Sequence, residues 1–253
     1  MNVLAPVNPV TRIIGIALAT TPLLLSIDWL SATIAIILSC IAAPICGVRF
    51  GYLIRRSIPL LIITPLTGIS MLLYARPGGK EYFSFLSMHI TDNSIALSIA
   101  IMLRVLAFGL PVVVLSARID PTDLGDGLAQ ILHLPARFII AAVSATRLIS
   151  LVSDDAASIR RARRSRGVAQ QNKIRTALGM SFSVLVSALR RGAKLSTAME
   201  ARGFGRTDIK RTWARPARLH TRDFIVLIAC ILMPVIALVS AYYAGTFSFL
   251  GMS

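Results

Sequence analysis

Acidic side chains are scarce in this 253-residue chain: 11 Asp and Glu stand against 27 Lys and Arg, with only three His. Metal-assisted or acid–base catalysis needs converging carboxylates or imidazoles, so an enzyme of that kind has little to build on. Asp120, Asp123 and Asp126 are spaced suggestively, but capping and helix-dipole roles account for the first two more simply than a metal does. The three cysteines, Cys40, Cys46 and Cys230, fall inside apolar runs, with neither disulfide nor metal-ligand spacing, and read as packing residues. Aromatics amount to 7%, and only Phe138, Phe182, Phe204 and Trp213 punctuate the basic region. That leaves no stacking platform for a nucleic acid. No P-loop is present, so the chain is not itself an ATPase. The N-terminus lacks the charged region and cleavage site of a signal peptide, and the first apolar run is expected to be retained.

Charge as a whole is also sparse. Only 15% of residues are charged and 55% are apolar, against roughly 25% charged in soluble domains. Such a deficit is a bilayer signature. A spanning helix needs about 20 apolar residues, and five runs qualify: 10–27, 30–48, 57–75, 94–117 and 224–243. Trp29 sits where an interfacial aromatic belongs, and Pro59 and Pro65 are tolerable inside a membrane helix. Arg49, Arg55 and Arg56 make a short basic loop, whereas the loop 76–93 is weakly charged. Residues 118–222 carry 20 of the 27 basic and 7 of the 11 acidic residues. Placing all the basic weight inside puts the N-terminus in the cytoplasm and the C-terminus outside. The chain then divides into membrane helices over 1–117, a cytoplasmic region over 118–222, and a last membrane helix with an external tail over 223–253.

The basic region is too long and too patterned for a loop. Asp120-Pro121-Thr122-Asp123 is a helix start, with Asp at the N-cap and Pro at the first helical position; that helix is expected to reach about His133. Pro135 opens a second helix, with Leu148, Val152, Ala156 and Ile159 on one face. A third carries Ile174, Leu178, Phe182, Leu185 and Leu189 likewise. Both read as long amphipathic helices at or below the inner membrane surface, and residues 138–152 can dip into the bilayer.

Two similar signatures 36 residues apart end these helices: Ala162-Arg163-Arg164-Ser165-Arg166-Gly167 and Ala198-Met199-Glu200-Ala201-Arg202-Gly203. Glycine takes the left-handed conformation cheaply at a helix end, and Arg there suits the negative end of the dipole. Each is therefore a well-capped C-terminus. Their recurrence points further. Ala162 and Ala198 lie one turn before Arg166 and Arg202 on the same face, leaving each guanidinium free to enter an acidic groove with its paired donors.

These signatures resemble those of the transmembrane (T) component of energy-coupling factor transporters, the ATP-driven importers of vitamins and transition-metal ions. The likeness extends to Asn8-Pro9-Val10-Thr11-Arg12 before the first span, Asp120-Pro121-Thr122-Asp123-Leu124, Leu134-Pro135, and Thr146-Arg147-Leu148-Ile149. Ala198-Met199-Glu200-Ala201-Arg202-Gly203-Phe204 is close to the family's second motif; the first departs by Ser165 in place of alanine. The resemblance implies an all-α, L-shaped integral membrane scaffold of about five membrane helices and three cytoplasmic coupling helices. It implies no catalytic, metal or cofactor site in this chain, ATP being bound by two cytoplasmic ABC-type ATPase subunits. Arg166 and Arg202 would each dock into one of them, with Ala162, Ser165, Gly167, Ala198, Ala201 and Gly203 shaping the contact. The helices would pass the ATPase motion to a substrate-binding (S) membrane subunit.

Arg104, in mid-span, is a functional candidate by position. It either bonds backbone carbonyls within the bundle or meets the substrate-binding partner, and Arg147 invites the same two readings. Part of the cluster Arg160, Arg161, Arg163 and Arg164 is expected against anionic lipid. A lipid or phosphoryl transferase is the alternative function, and a membrane-tethered nucleic-acid binder a weaker one.

Overall fold

The computed structural model describes residues 4, 6–26, 28–74, 81–85, 88–167, 173–206, 212–213 and 215–245. It is an α-helical membrane protein with, among the described residues, one short antiparallel pair of strands. Compact packing divides it into two units, residues 1–119 with 219–253, and residues 120–218.

In the first unit, α1 (Pro9–Thr20) starts at Asn8, whose side-chain oxygen accepts from the Val10 N–H at 3.0 Å, with Pro9 at the first helical position. The span expected over 10–27 is not one helix. It stops after 12 residues and continues as a 3₁₀ turn, Pro22–Leu25, because Pro22 cannot supply the next helical N–H. α2 (Trp29–Ile45) opens with the Asp28 carboxylate accepting from Ser31 N–H at 3.0 Å, and closes through Gly47 at φ 74°. α3 (Phe50–Tyr74) begins earlier than the apolar run does, so Arg55 and Arg56 lie within the helix rather than in a loop. The region 76–93 contains an antiparallel pair, β1 (Glu81–Phe85) and β2 (Met88–Thr91). α4 (Asp92–Leu115) follows, capped by the Thr91 hydroxyl.

α3 packs closely along α4, and α2 against α4. Small residues make that approach possible, as is usual where helices meet in lipid. A Cβ on Gly109 would stand 2.3 Å from Leu60 Cδ2, and the Ser98 hydroxyl donates to the Gly68 carbonyl at 2.8 Å. The N-P-V-T-R stretch is a tie. Asn8 N–H donates to the fully buried Asp223 carboxylate at 2.7 Å, and His220 N–H donates to its other oxygen at 2.6 Å. The start of α1 is thereby joined to the start of the last helix (Thr221–Tyr243). Cys40 and Cys46 are half-buried and Cys230 buried, all as free thiols within this packing.

In the second unit, α5 (Pro121–Gln130) is capped as expected, Asp120 accepting from Thr122 N–H at 2.7 Å, but ends three residues before His133. The long helices are α6 (Ala136–Ser165) and α7 (Lys173–Ala201); Thr221–Tyr243 completes the count as α8. Among the described residues, four helices are long and apolar enough to cross a membrane: α3, α4, α6 and α8. α6 was expected as an interfacial helix, whereas α1 and α2, expected as spans, are shorter than that limit.

Candidate functional site

α6 and α7 run antiparallel and are tied together by polar side chains. Near the end of α6, Arg163 reaches across to α7, donating to the carbonyls of Thr176 (3.3 Å) and Gly179 (2.8 Å) and to the Ser183 hydroxyl (3.2 Å). Two turns earlier on α6, Asp155 accepts from Arg191 Nε at 2.8 Å and Nη2 at 2.6 Å, and from the Ser187 hydroxyl at 2.8 Å. A bidentate Arg–carboxylate pair fixes orientation as well as distance. Of the cluster Arg160, Arg161, Arg163 and Arg164, Arg163 is turned inward, while the other three are exposed. The expected apolar face of α7 points the other way. Ile174, Leu178, Phe182, Leu185 and Leu189 are between 54% and 71% exposed.

Both Arg-Gly tips have the cap geometry that their sequence calls for. Gly167 and Gly203 have φ of 72° and 74°. At the second tip, Gly203 N–H donates to the Glu200 carbonyl (2.9 Å) and Phe204 N–H to that of Met199 (2.8 Å), the paired closure of a Schellman motif. At the first, Gly167 N–H donates to Arg164 (3.1 Å) and the Ser165 hydroxyl to Ala162 (2.9 Å). Ala162, Ser165, Arg166, Ala198, Ala201 and Arg202 are exposed, and neither tip guanidinium has a side-chain partner among the described residues.

The clamp is equidistant from the tips in sequence. Asp155 precedes Arg166 by 11 residues, as Arg191 precedes Arg202. At 1.5 Å per residue each tip stands about 16 Å beyond the clamp along its own helix. Because the helices are antiparallel, the tips extend in opposite directions and do not form one site.

A groove of about 630 Å³ separates the helices on the Arg202 side, with Leu148, Leu151 and Leu195 as apolar floor and Arg147, Arg191, Lys194 and Arg202 as basic rim. Arg147 and Arg202 are thus brought to one groove. Arg147 also lies 3.5 Å from the Thr122 hydroxyl. Arg104, half-buried, donates to the Leu23 carbonyl and lies over the Phe108 ring at 5.4 Å, so the break after α1 is satisfied from α4. Asp123 faces Arg215 at 3.6 Å. The clamp residues Asp155, Ser187 and Arg191 carried no obvious signal, except that an isolated acid in a basic helix calls for a partner.

A family model described as CbiQ, cobalt transport protein, matches residues 1–212. The chain belongs to that family. Among curated proteins it is similar to energy-coupling factor transporter transmembrane protein EcfT of Macrococcus caseolyticus, 25% identical over 84% of this chain and 83% of that protein. The Brevibacillus brevis protein of the same name is 24% identical over 90% of both chains. That of Limosilactobacillus fermentum is 28% identical over 72% of both. This family member is a multi-pass membrane protein, as its apolar helices require.

Proposed function

We propose that this chain is the non-catalytic coupling subunit of an ATP-driven energy-coupling-factor importer of vitamins or transition-metal ions. The observation that carries the reading is the repetition of one exposed, glycine-capped arginine tip at opposite ends of a clamped antiparallel helix pair. Two oppositely directed tips suit two like subunits better than one asymmetric partner. Arg166 and Arg202 each dock into one cytoplasmic ABC-type ATPase, which binds the ATP. The basic residues of 118–222 lie on the cytoplasmic side, with the N-terminus inside and the C-terminus outside. The exposed apolar ridge of α7 is the surface offered to the substrate-binding membrane subunit.

The test is the double variant Arg166→Glu/Arg202→Glu, expressed with the ABC-type ATPase subunits of the same cell. It is expected to reach the membrane at the wild-type level, to lose copurification of the ATPases, and to abolish uptake. Normal uptake by this variant rules out the docking role. Turnover of a lipid or phosphoryl substrate by the purified chain alone would instead favour the transferase alternative.

A further inference from the structure

A second basic site lies in the membrane unit. A cavity of about 710 Å³ is lined by Arg12, Arg49, Arg55 and Arg118, together with Gly51 and Tyr52, and no acidic side chain lines it. Four cations around one cavity repel each other unless an anion joins them.

Arg12 is 6% exposed, so its charge is held almost out of water. Its guanidinium donates to the Ala117 carbonyl at 3.1 Å and to the Leu4 carbonyl, and its Nε–H is unpartnered. Carbonyls orient this charge without neutralising it. The Asp223 carboxylate, held by the Asn8 and His220 N–H groups, attracts Arg12 without forming an ion pair with it and does not line the cavity. Arg49, Arg55 and Arg118 are exposed and have no ion pair among the described residues.

The backbone adds to the same field. Gly47 N–H donates to Pro44 and Val48 N–H to Ala43, closing α2 tightly and bringing the start of α3 onto the cavity. The N-terminus of that 25-residue helix presents partial positive charge there. Nothing lies within 4 Å of where a Gly51 Cβ would be, so the approach to this helix end is open. Arg118 takes a left-handed conformation at φ 55°, uncommon for a residue with a Cβ, and it is this residue that completes the ring.

We propose that this cavity binds a phosphate group, presented by the headgroup of an acidic phospholipid. Guanidinium forks and a helix N-terminus match phosphate oxygens. The site lies where α2 ends, α3 begins and α4 has just ended, the level at which headgroups meet membrane helices, and basic pockets between such helices hold acidic headgroups. The site is independent of ATPase docking.

The test uses the purified full-length chain, delipidated and placed in nanodiscs of phosphatidylcholine, with or without phosphatidylglycerol, and examined by native mass spectrometry. Wild type is expected to retain one phosphatidylglycerol through washing. Arg49→Gln/Arg55→Gln, which changes two exposed side chains, is expected to weaken retention about thirtyfold. Arg137→Gln/Arg190→Gln, which removes equal charge from two exposed residues outside the site, is expected to leave it unchanged. Inorganic phosphate, titrated in detergent, is expected to compete. Phosphate binding without lipid retention would keep the site and assign it to soluble phosphate. Equal retention by wild type and Arg49→Gln/Arg55→Gln, or equal loss in both double variants, overturns the site.

Discussion

Arg191 holds Asp155 with both arms of its guanidinium, Nε at 2.8 Å and Nη2 at 2.6 Å, and this pair joins α6 to α7 at a point 11 residues before each Arg-Gly tip. A force on one tip therefore acts on the other through a shared cross-link. Arg163 supplies a second cross-link nearer the first tip. Together they tie the helix pair at two points.

Asp155→Asn keeps the shape but removes the charge that Arg191 grips. Because the pair is partly exposed, global stability is expected to change little. Uptake is expected to fall severalfold, with ATPase copurification retained. Measuring uptake and copurification in the same membranes checks this. Arg191→Lys should behave similarly, since an ammonium cannot reproduce the bidentate fork. Unaltered uptake in both variants would remove the clamp from the coupling path.

Gly203→Ala tests the cap. A side chain at φ 74° costs about 1 kcal/mol, and the new Cβ would also sit 3.3 Å from Arg206 Cδ. Gly167→Ala meets the backbone penalty alone, in open space. ATPase copurification is expected to drop in both variants, and further in Gly203→Ala. The opposite ranking in a pull-down series counts against a role for the second tip's tight closure.

Gly109→Ala bears on the membrane bundle. Its Cβ would collide with Leu60, whose Cδ2, Cδ1 and Cγ stand at 2.3, 2.5 and 2.9 Å. Overpacking of this kind costs about 1–3 kcal/mol. A lower melting temperature in detergent is expected, and Leu60→Ala in the same chain should restore part of it.

Arg104→Met separates two roles for that residue. The Leu23 carbonyl would lose its donor, and a buried unsatisfied carbonyl costs about 1–3 kcal/mol. Thermal stability of the isolated chain is expected to fall, as a structural role requires. Full stability with impaired uptake would instead make Arg104 a partner contact.

Much of the cap chemistry was legible in advance. The caps at Asp120, Gly167 and Gly203 are local devices, in which a side chain or a φ angle serves backbone groups a few residues away; Asn8 and Asp28 are caps of the same kind that the structure adds. Hydropathy also placed the apolar runs, because bilayer partitioning depends on composition alone. It placed their ends less well. The break at Pro22 and the early start of α3 at Phe50 depend on who satisfies the freed backbone groups, and Arg104 does so from 81 residues away.

The chain's own order of residues thus determined that it is a basic, helical membrane protein ending two helices in the same arginine tip. Periodicity, charge segregation and capping act over a few residues and can be read one segment at a time. Only the tertiary structure decided that Arg163 turns inward, that Asp155 finds Arg191, that the apolar ridge of α7 is left uncovered, and that four arginines from distant segments ring one cavity. Those outcomes depend on the register between helices. Register is settled by the packing of all their side chains together, which no single segment contains.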